Sequence, residues 1–303
     1  MERRTVEVLV GIGGWEHEVL DQCLYGAPGW DATAKLRMYA RSFRTVEVRP
    51  TFWDETLSGA DARQWVEAVS GEKGFLFQVK LHSSFTHQKQ IRPAVARSTR
   101  EILEVLAGAN RLGGLLMQFP YAFTNVGAHR SHLQRLAEEF REFPCFVELR
   151  HDSWNQPGLT GSLARTGLRI VQSDMPRLRQ YMPFTTGIIG EIAYLRLHGR
   201  NERGWLQNGM DARYDYLYNG RELREISRRI EAMVPRCSRV IIICNNTTNG
   251  KAVANAFQLM AVALNRKVQI PQASLKGFPQ LAEIAPGQEG HHLFIEGEYR
   301  QAM

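Results

Sequence analysis

The sequence predicts an α/β protein closed into an eight-stranded (β/α)8 barrel, and three observations predict it. Eight strand-sized runs rich in Val, Ile, Leu or Phe recur along the 303 residues. Helical patterns fill all but one of the gaps between them, the alternation expected of a parallel sheet. On most runs the polar residues take one parity and the apolar residues the other. A barrel strand, with one side to the axis and one to the helices, requires this.

The first run, Val6–Ile12, leads into the Gly-rich turn Gly11-Ile12-Gly13-Gly14-Trp15. Arg3 and Arg4 precede it, but Glu7 interrupts the apolar stretch and no small-residue cleavage pattern follows. It therefore reads as a strand rather than a leader. Ala32–Phe43 sets Leu36, Tyr39, Ala40 and Phe43 on one helical face and delivers the chain to the second run, Thr45–Thr51. Helix Gly59–Val69 precedes the third run, Phe75–Leu81. Ala94–Asn110 aligns Ile102, Leu103 and Leu106 before the fourth, Gly114–Phe119. His129–Phe140 precedes the fifth, Cys145–Arg150, and the short Gly158–Thr166 precedes the sixth, Leu168–Asp174. Met175–Glu191 then holds Pro176, Pro183, Gly187 and Gly190, which forbid a full helix, so an irregular segment is expected there. The seventh run is Ile192–His198 and the eighth Val240–Asn245, each followed by an amphipathic helix, Arg221–Met233 and Lys251–Asn265. Residues 1–267 read as one barrel. Residues 268–303, with Pro271, Pro279, Pro286 and His291-His292, read as a C-terminal extension packed on it or partly mobile.

Bulk composition narrows the function classes. Hydrophobic residues at 44% and charged residues at 23% are those of a globular chain and exclude wholesale disorder. No stretch reaches the roughly 18–20 apolar residues of a membrane span. Cys23, Cys145, Cys237 and Cys244 form no CxxC pair and no zinc-like spacing. Buried free thiols and a reducing, cytoplasmic setting are expected. The net charge is +7, and 31 of the 38 basic residues are arginine, whose fork suits phosphate and carboxylate. Neither GxGxxG nor GxxxxGK[ST] occurs, so no nucleotide cofactor is expected.

Strand parity gathers the candidate site. Glu47 and Arg49 oppose Val46 and Val48; Gln78 and Lys80 oppose Val79 and Leu81; Glu148 and Arg150 oppose Val147 and Leu149. Arg196, His198 and Arg200 oppose Leu195 and Leu197, with Gln118, Gln172, Asp174 and Asn245 added to the set. Burying so many ionisable groups unpaired would cost several kcal/mol each, so they must pair with one another or line a wet pocket. Asn245-Asn246-Thr247-Thr248-Asn249-Gly250, before the last helix, offers capping side chains and free N–H groups where barrels commonly hold phosphate. Trp15, Phe52, Trp53, Phe85, Trp154 and Trp205 follow or end strands and could form an aromatic rim.

An ordered series of motifs carries a family likeness. It runs through Ile12-Gly13-Gly14-Trp15, Tyr39-Ala40-Arg41-Ser42-Phe43, Thr45-Val46-Glu47-Val48, Thr51-Phe52, Val79-Lys80 and Thr86-His87. It continues with Leu116-Met117-Gln118-Phe119-Pro120, Val147-Glu148-Leu149-Arg150-His151 with Trp154, and Asp174. It closes with Leu195-Arg196-Leu197-His198-Gly199-Arg200, Asn245-Asn246-Thr247 and Gly250-Lys251-Ala252 to Asn255-Ala256. Over roughly residues 8–264 the chain closely resembles the DUF72 family, also called YecE-like. The resemblance implies a TIM-barrel-like fold, sets His87 beside the other candidates, and implies little about chemistry, the domain being of unknown function. Arg49-Pro50-Thr51-Phe52-Trp53 departs from the family's Asn-Ser-Thr-Phe-Tyr, Cys244-Asn245-Asn246 departs from its Phe-Asn-Asn, and the first turn is a residue shorter. These departures border the pocket and bear on ligand identity.

The expected function is action on, or binding of, an anionic, phosphate-bearing substrate at the C-terminal strand ends. Glu47, Glu148 and Asp174 are the candidate acids and bases and His198 a second proton carrier; hydrolysis of a phosphoester or glycosidic bond is compatible. Lys80, His87, Gln118, Arg150, Arg196, Arg200, Asn245 and Asn246 are the candidate binding residues. A metal variant would set Glu47, Glu148, Asp174 and His198 around a divalent ion, against the repulsion of nearby Arg and Lys, and no metal is expected. The alternatives are a nucleic-acid-binding barrel without turnover and a small-molecule sensor.

Overall fold

The computed structural model describes residues 6–206, 210–287 and 298–299. Eight parallel strands pair in sequence order: β1 (Val6–Gly13), β2 (Thr45–Val48), β3 (Leu76–Lys80), β4 (Leu112–Gln118), β5 (Cys145–Glu148), β6 (Arg169–Asp174), β7 (Ile192–Leu197) and β8 (Arg239–Cys244). β1 pairs with both β8 and β2 and so closes the barrel. A two-residue strand, Glu298–Tyr299, adds antiparallel to Val6 and Glu7. His291-His292 lie outside the described residues.

Seven helices form most of the outer layer: α1 (Ala32–Ala40), α2 (Gly59–Ala68), α3 (Pro93–Gly108), α4 (Gly127–Glu139), α5 (Leu159–Arg165), α6 (Gly220–Met233) and α7 (Lys251–Leu264). Local chemistry starts several of them. Ser58 and Asp61 form a reciprocal capping box on α2, and Asn219 and Glu222 form another on α6. Pro93 opens α3, where its missing N–H costs nothing. No helix forms between β6 and β7, as Pro176, Pro183 and the glycines require. That segment instead folds over β5: the Met182 N–H donates to the Arg150 carbonyl at 2.8 Å, and the Asp152 N–H to that of Gln180 at 2.8 Å.

The sequence pattern missed short elements with no sustained period. A π-helical turn, Asp21–Tyr25, follows β1, and Glu202–Leu206 and Met210–Arg213 follow β7. The extension carries a helix, α8 (Gln272–Gly277), which docks on the π turn through Ser274 Oγ donating to the Cys23 carbonyl at 2.7 Å.

Two cores lie back to back. Val46, Val79, Val147, Leu195 and Ile242 face the helices within the larger core. Leu9, Leu76, Leu116, Phe146, Tyr194 and Ile241 form a separate buried cluster on the barrel axis. Along each strand these apolar positions precede the polar ones: Leu76 before Gln78 and Lys80, Phe146 before Glu148, Tyr194 before Arg196. The barrel therefore has an apolar floor and a polar upper half.

On β6 the parity is the reverse of that expected. Val171 belongs to the axial cluster, and Ser173 is in register with Arg196. Gln172 and Asp174 thus point outward. Gln172 accepts from the Thr185 N–H at 2.9 Å and donates to the Gly187 carbonyl at 2.7 Å.

Tyr39 pins the point where the barrel closes. The Ile12 N–H donates to its hydroxyl at 2.8 Å, and the hydroxyl donates to the Thr45 carbonyl at 2.9 Å. β1 and β2 begin to pair at Gly11 and Thr45, so close together that a Cβ on Gly11 would sit 1.9 Å from the Thr45 oxygen. Tyr39→Phe should leave a buried N–H and a buried carbonyl without a partner and cost about 2 kcal/mol. Denaturant unfolding should show this as a lower midpoint with an unchanged slope.

Candidate functional site

Three strands meet on the axis above the apolar floor. Arg196 on β7, 2% exposed, lies between Glu47 on β2 and Glu148 on β5, both fully buried. Arg196 Nε and Nη2 each donate to Glu47 at 2.8 Å, Tyr194 Oη donates to the same carboxylate at 3.2 Å, and Nη1 donates to Glu148. Arg150 Nε donates to the other Glu148 oxygen at 2.7 Å. Burial would raise the Glu47 carboxyl, but Arg196, Lys80 and Arg49 hold it below its ordinary value. Burial opposes the ionisation of Glu148 as well, and Arg196, Arg150 and His198 overcome it, holding that carboxyl well below the usual range.

His198 stands beside this clamp, its Nε2 3.4 Å from Glu148. Asn245 Nδ2 lies 3.0 Å from its Nδ1, and Arg196 Nη1 lies 3.5 Å from Nε2. Burial pushes the imidazole down to about 4, with Glu148 opposing and Arg196 assisting, so the ring is neutral near pH 7.

Lys80, on β3, is differently placed. Its Nζ lies 3.7 Å from the centre of the Phe52 ring. Burial, then Arg196, with further push from Arg150 and Arg49, lowers the ammonium to about 7 against the pull of Glu47. Arg49 faces the same space and touches His17 Nε2 at 3.2 Å. A cleft of about 160 Å³ opens beside it, lined by Gly14, Trp15, Glu16, His17, Pro50 and Trp53. His87 packs edge-on to Phe52 at 4.9 Å on the rim. Partial desolvation, with Lys80 and Arg150 behind it, lowers His87 to about 4. Gln118 is in register with Glu148 and donates to the Phe119 carbonyl at 2.8 Å.

The structure thus brings Glu47, Lys80, Glu148, Arg150, Arg196, His198 and Asn245 together, with His87 and Gln118 at the edge. It does not bring Asp174, Arg200 or Asn246 into the group. Asp174 accepts from Arg200 Nε and Nη2, each at 2.9 Å at closest, and from Tyr218 at 2.7 Å. Arg200 also donates to Glu225 on α6. This pairing lies on the outward side of β6. Asn246 donates to the Tyr216 carbonyl and to Asn255, both at 2.8 Å, and ties β8 to α7. The four residues expected around a divalent ion are therefore split, and among the described residues no three His, Cys, Asp or Glu side chains gather as a metal site. In the loop before α7, Asn249 donates to Asp215 at 3.3 Å, and Lys251 at the start of α7 donates to the same carboxylate at 2.7 Å.

The aromatic positions divide in the same way. Trp15, Phe85 and Trp154 are core; the indole of Trp15 donates to Ala32 and that of Trp154 to Phe123. Phe52 carries Lys80, Trp205 lies 5.5 Å from the Arg150 guanidinium, and Trp53 is exposed. Sequence reasoning missed Tyr181 and Tyr214, which pack on Trp205 from irregular segments with no period to reveal them. It also set Arg49, two residues beyond Glu47, on the inward parity without naming it among the binding residues.

A closed eight-stranded β/α barrel with its charged cluster at the C-terminal strand ends is a TIM-barrel protein. The chain belongs to the DUF72 family, described as a protein of unknown function, whose model matches residues 9–279. It is similar to the UPF0759 protein YunF of Bacillus subtilis (strain 168), 25% identical over 272 residues that span 84% of this chain and 93% of that one. Among solved structures it resembles a DUF72 family protein from Thermotoga maritima MSB8. That match has 27% identity and a TM-score of 0.74 over 84% of this chain and 98% of that one. A DUF72 family protein from Enterococcus faecalis V583 shares the fold, with a TM-score of 0.73 and 24% identity over 86% and 97% of the two chains.

Removing Arg196 should strand two buried carboxylates. Arg196→Met is expected to cost roughly 3–5 kcal/mol at pH 7. The carboxyls of Glu47 and Glu148 lie below their ordinary value of 4.5, so their contribution to the native protein is full above that value and lost as pH falls through the lowered ones. In the variant they protonate more readily, so the stability gap should narrow on acidification. Urea unfolding from pH 7 to pH 4 measures it; a gap independent of pH would show that the clamp is not ionic.

Proposed function

We propose that the barrel mouth binds a small anionic, phosphate-bearing substrate. One observation supports this reading above the rest: Arg49, Lys80, Arg150 and Arg196 share the mouth with two carboxylates, both already engaged by Arg196. Arg150 spends only Nε on Glu148, and its terminal nitrogens donate no hydrogen bond to the described residues. Three basic groups thus keep donors free for a ligand. A phosphate, with its spread of acceptor oxygens, suits such a set.

In this reading the roles differ from those expected from sequence. Glu47 and Glu148 are held ionised by guanidinium groups, which suits them to position Arg196 and Arg150 rather than to carry protons. Lys80, near neutrality, is the better proton carrier at working pH. Asp174 and Arg200 are structural. The position of Arg49, at a departure from the usual family pattern, favours a ligand particular to this chain and its close kin.

Calorimetry with inorganic phosphate at low salt tests the reading. Saturable binding is expected, and Lys80→Met should weaken it about tenfold, the effect of losing one charge-assisted hydrogen bond of about 1.5 kcal/mol. Anion binding favours the protonated lysine, so affinity for sulfate, whose own charge is constant over this range, should fall as pH rises through about 7. No saturable binding of either anion, together with salt-sensitive binding of single-stranded RNA, would replace this reading with the nucleic-acid one.

A further inference from the structure

Lys80 is the odd member of the cluster. Arg49 touches His17, Arg150 and Arg196 hold carboxylates, but the Lys80 amine makes no hydrogen bond or ion pair with any described residue. It rests on the face of Phe52, at the open end of the barrel, with part of its side chain reaching solvent. A lysine needed only for stability would sit against a carboxylate, and Glu47 and Glu148 are both taken up by Arg196 and Arg150. An amine held on an apolar ring beside other cations is the arrangement that activates lysine as a nucleophile.

We propose that Lys80 forms a reversible imine with a phosphorylated aldehyde or ketone whose phosphate is held by Arg49 and Arg150. This rests on the anion reading above and adds the carbonyl. The uncharged amine attacks the carbonyl carbon, forming a C–N bond as the C=O π pair moves to oxygen. One proton shifts from nitrogen to that oxygen, giving a carbinolamine. A second proton, from solvent, joins the hydroxyl; water leaves, and the nitrogen lone pair closes the C=N bond of a protonated imine.

The groups facing the amine set its state. Burial and the charges of Arg196, Arg150 and Arg49 lower it to about 7, and Glu47 opposes them. A substantial uncharged fraction is then present at neutral pH, which an ordinary lysine at 10.5 lacks. His87, on the rim, is itself lowered to about 4 and adds no charge there. The cations that free the amine are also those able to seat the phosphate, so one arrangement serves both ends of a short substrate.

Reductive trapping decides the matter. The full chain is incubated at pH 7 with glyceraldehyde 3-phosphate or glyceraldehyde, reduced with borohydride, and mapped by peptide mass across its seven lysines. The phosphorylated aldehyde should label Lys80 at least about tenfold more than glyceraldehyde does, as one charge-assisted contact predicts, and inorganic phosphate should compete. Lys80→Arg, verified as folded by its melting temperature, should give no adduct at this position. Labelling spread evenly over the lysines overturns the proposal, as does equal labelling of Lys80 by both aldehydes. Phosphate binding by calorimetry without an adduct at Lys80 sinks the imine alone; absence of both sinks the anion reading with it.

Discussion

The whole mouth depends on one guanidinium. Arg196 spans the barrel axis between carboxylates supplied by β2 and β5, so three strands that are not neighbours in the sheet are tied through a single side chain. Taking such ions out of water costs several kcal/mol apiece, which only close pairing with full hydrogen bonding can offset. The apolar layer beneath, with Leu76, Phe146 and Tyr194, closes off water from below and sharpens that requirement. Tyr194 belongs to both layers: its ring is part of the floor and its hydroxyl donates to Glu47.

Pairing at the axis has a consequence for the groups above it. Two carboxylates are spent on Arg196, so Lys80 and Arg49 meet positive neighbours without a carboxylate of their own. The field that keeps Glu47 and Glu148 ionised therefore pushes protons off the bases. This inverts the usual expectation for a polar barrel, in which a carboxylate would be the group poised near neutrality. Here the carboxylates are furthest from it, and an amine is closest.

Much of the fold was legible because one physical rule governs it. A strand between an axis and a helix layer must alternate, and Thr45–Val48, Leu76–Lys80 and Ile192–Leu197 do so. The rule failed where polarity and direction separate. On β6 the inward positions are Val171 and the small Ser173, while outward Gln172 and Asp174 are polar because loop groups and Arg200 wait for them. It failed again beyond strand ends. Gly199, with φ at 90°, turns the chain so that Arg200 no longer continues the inward series of Arg196 and His198, and Asn246 leaves β8 toward α7. The aromatic contacts from Trp205, Tyr181 and Tyr214 come from irregular chain, where no period exists to read.

The irregular chain also explains how so charged a cluster is kept from bulk water. Helices cover the barrel's sides, and Met175–Glu191, kept free of helix by its prolines and glycines, folds over the end of β5. It bridges to His151, bringing Tyr181 onto Tyr121 at 4.6 Å and toward Trp205. Trp205 in turn backs the Arg150 guanidinium, and Phe52 backs Lys80 across the mouth. Flat apolar surfaces behind cations lower the local dielectric without neutralising charge, so attraction for an incoming anion is stronger than at an exposed patch with the same residues. The excess of arginine in the sequence says little by itself; its effect here comes from a few residues held against aromatic walls above a dry floor.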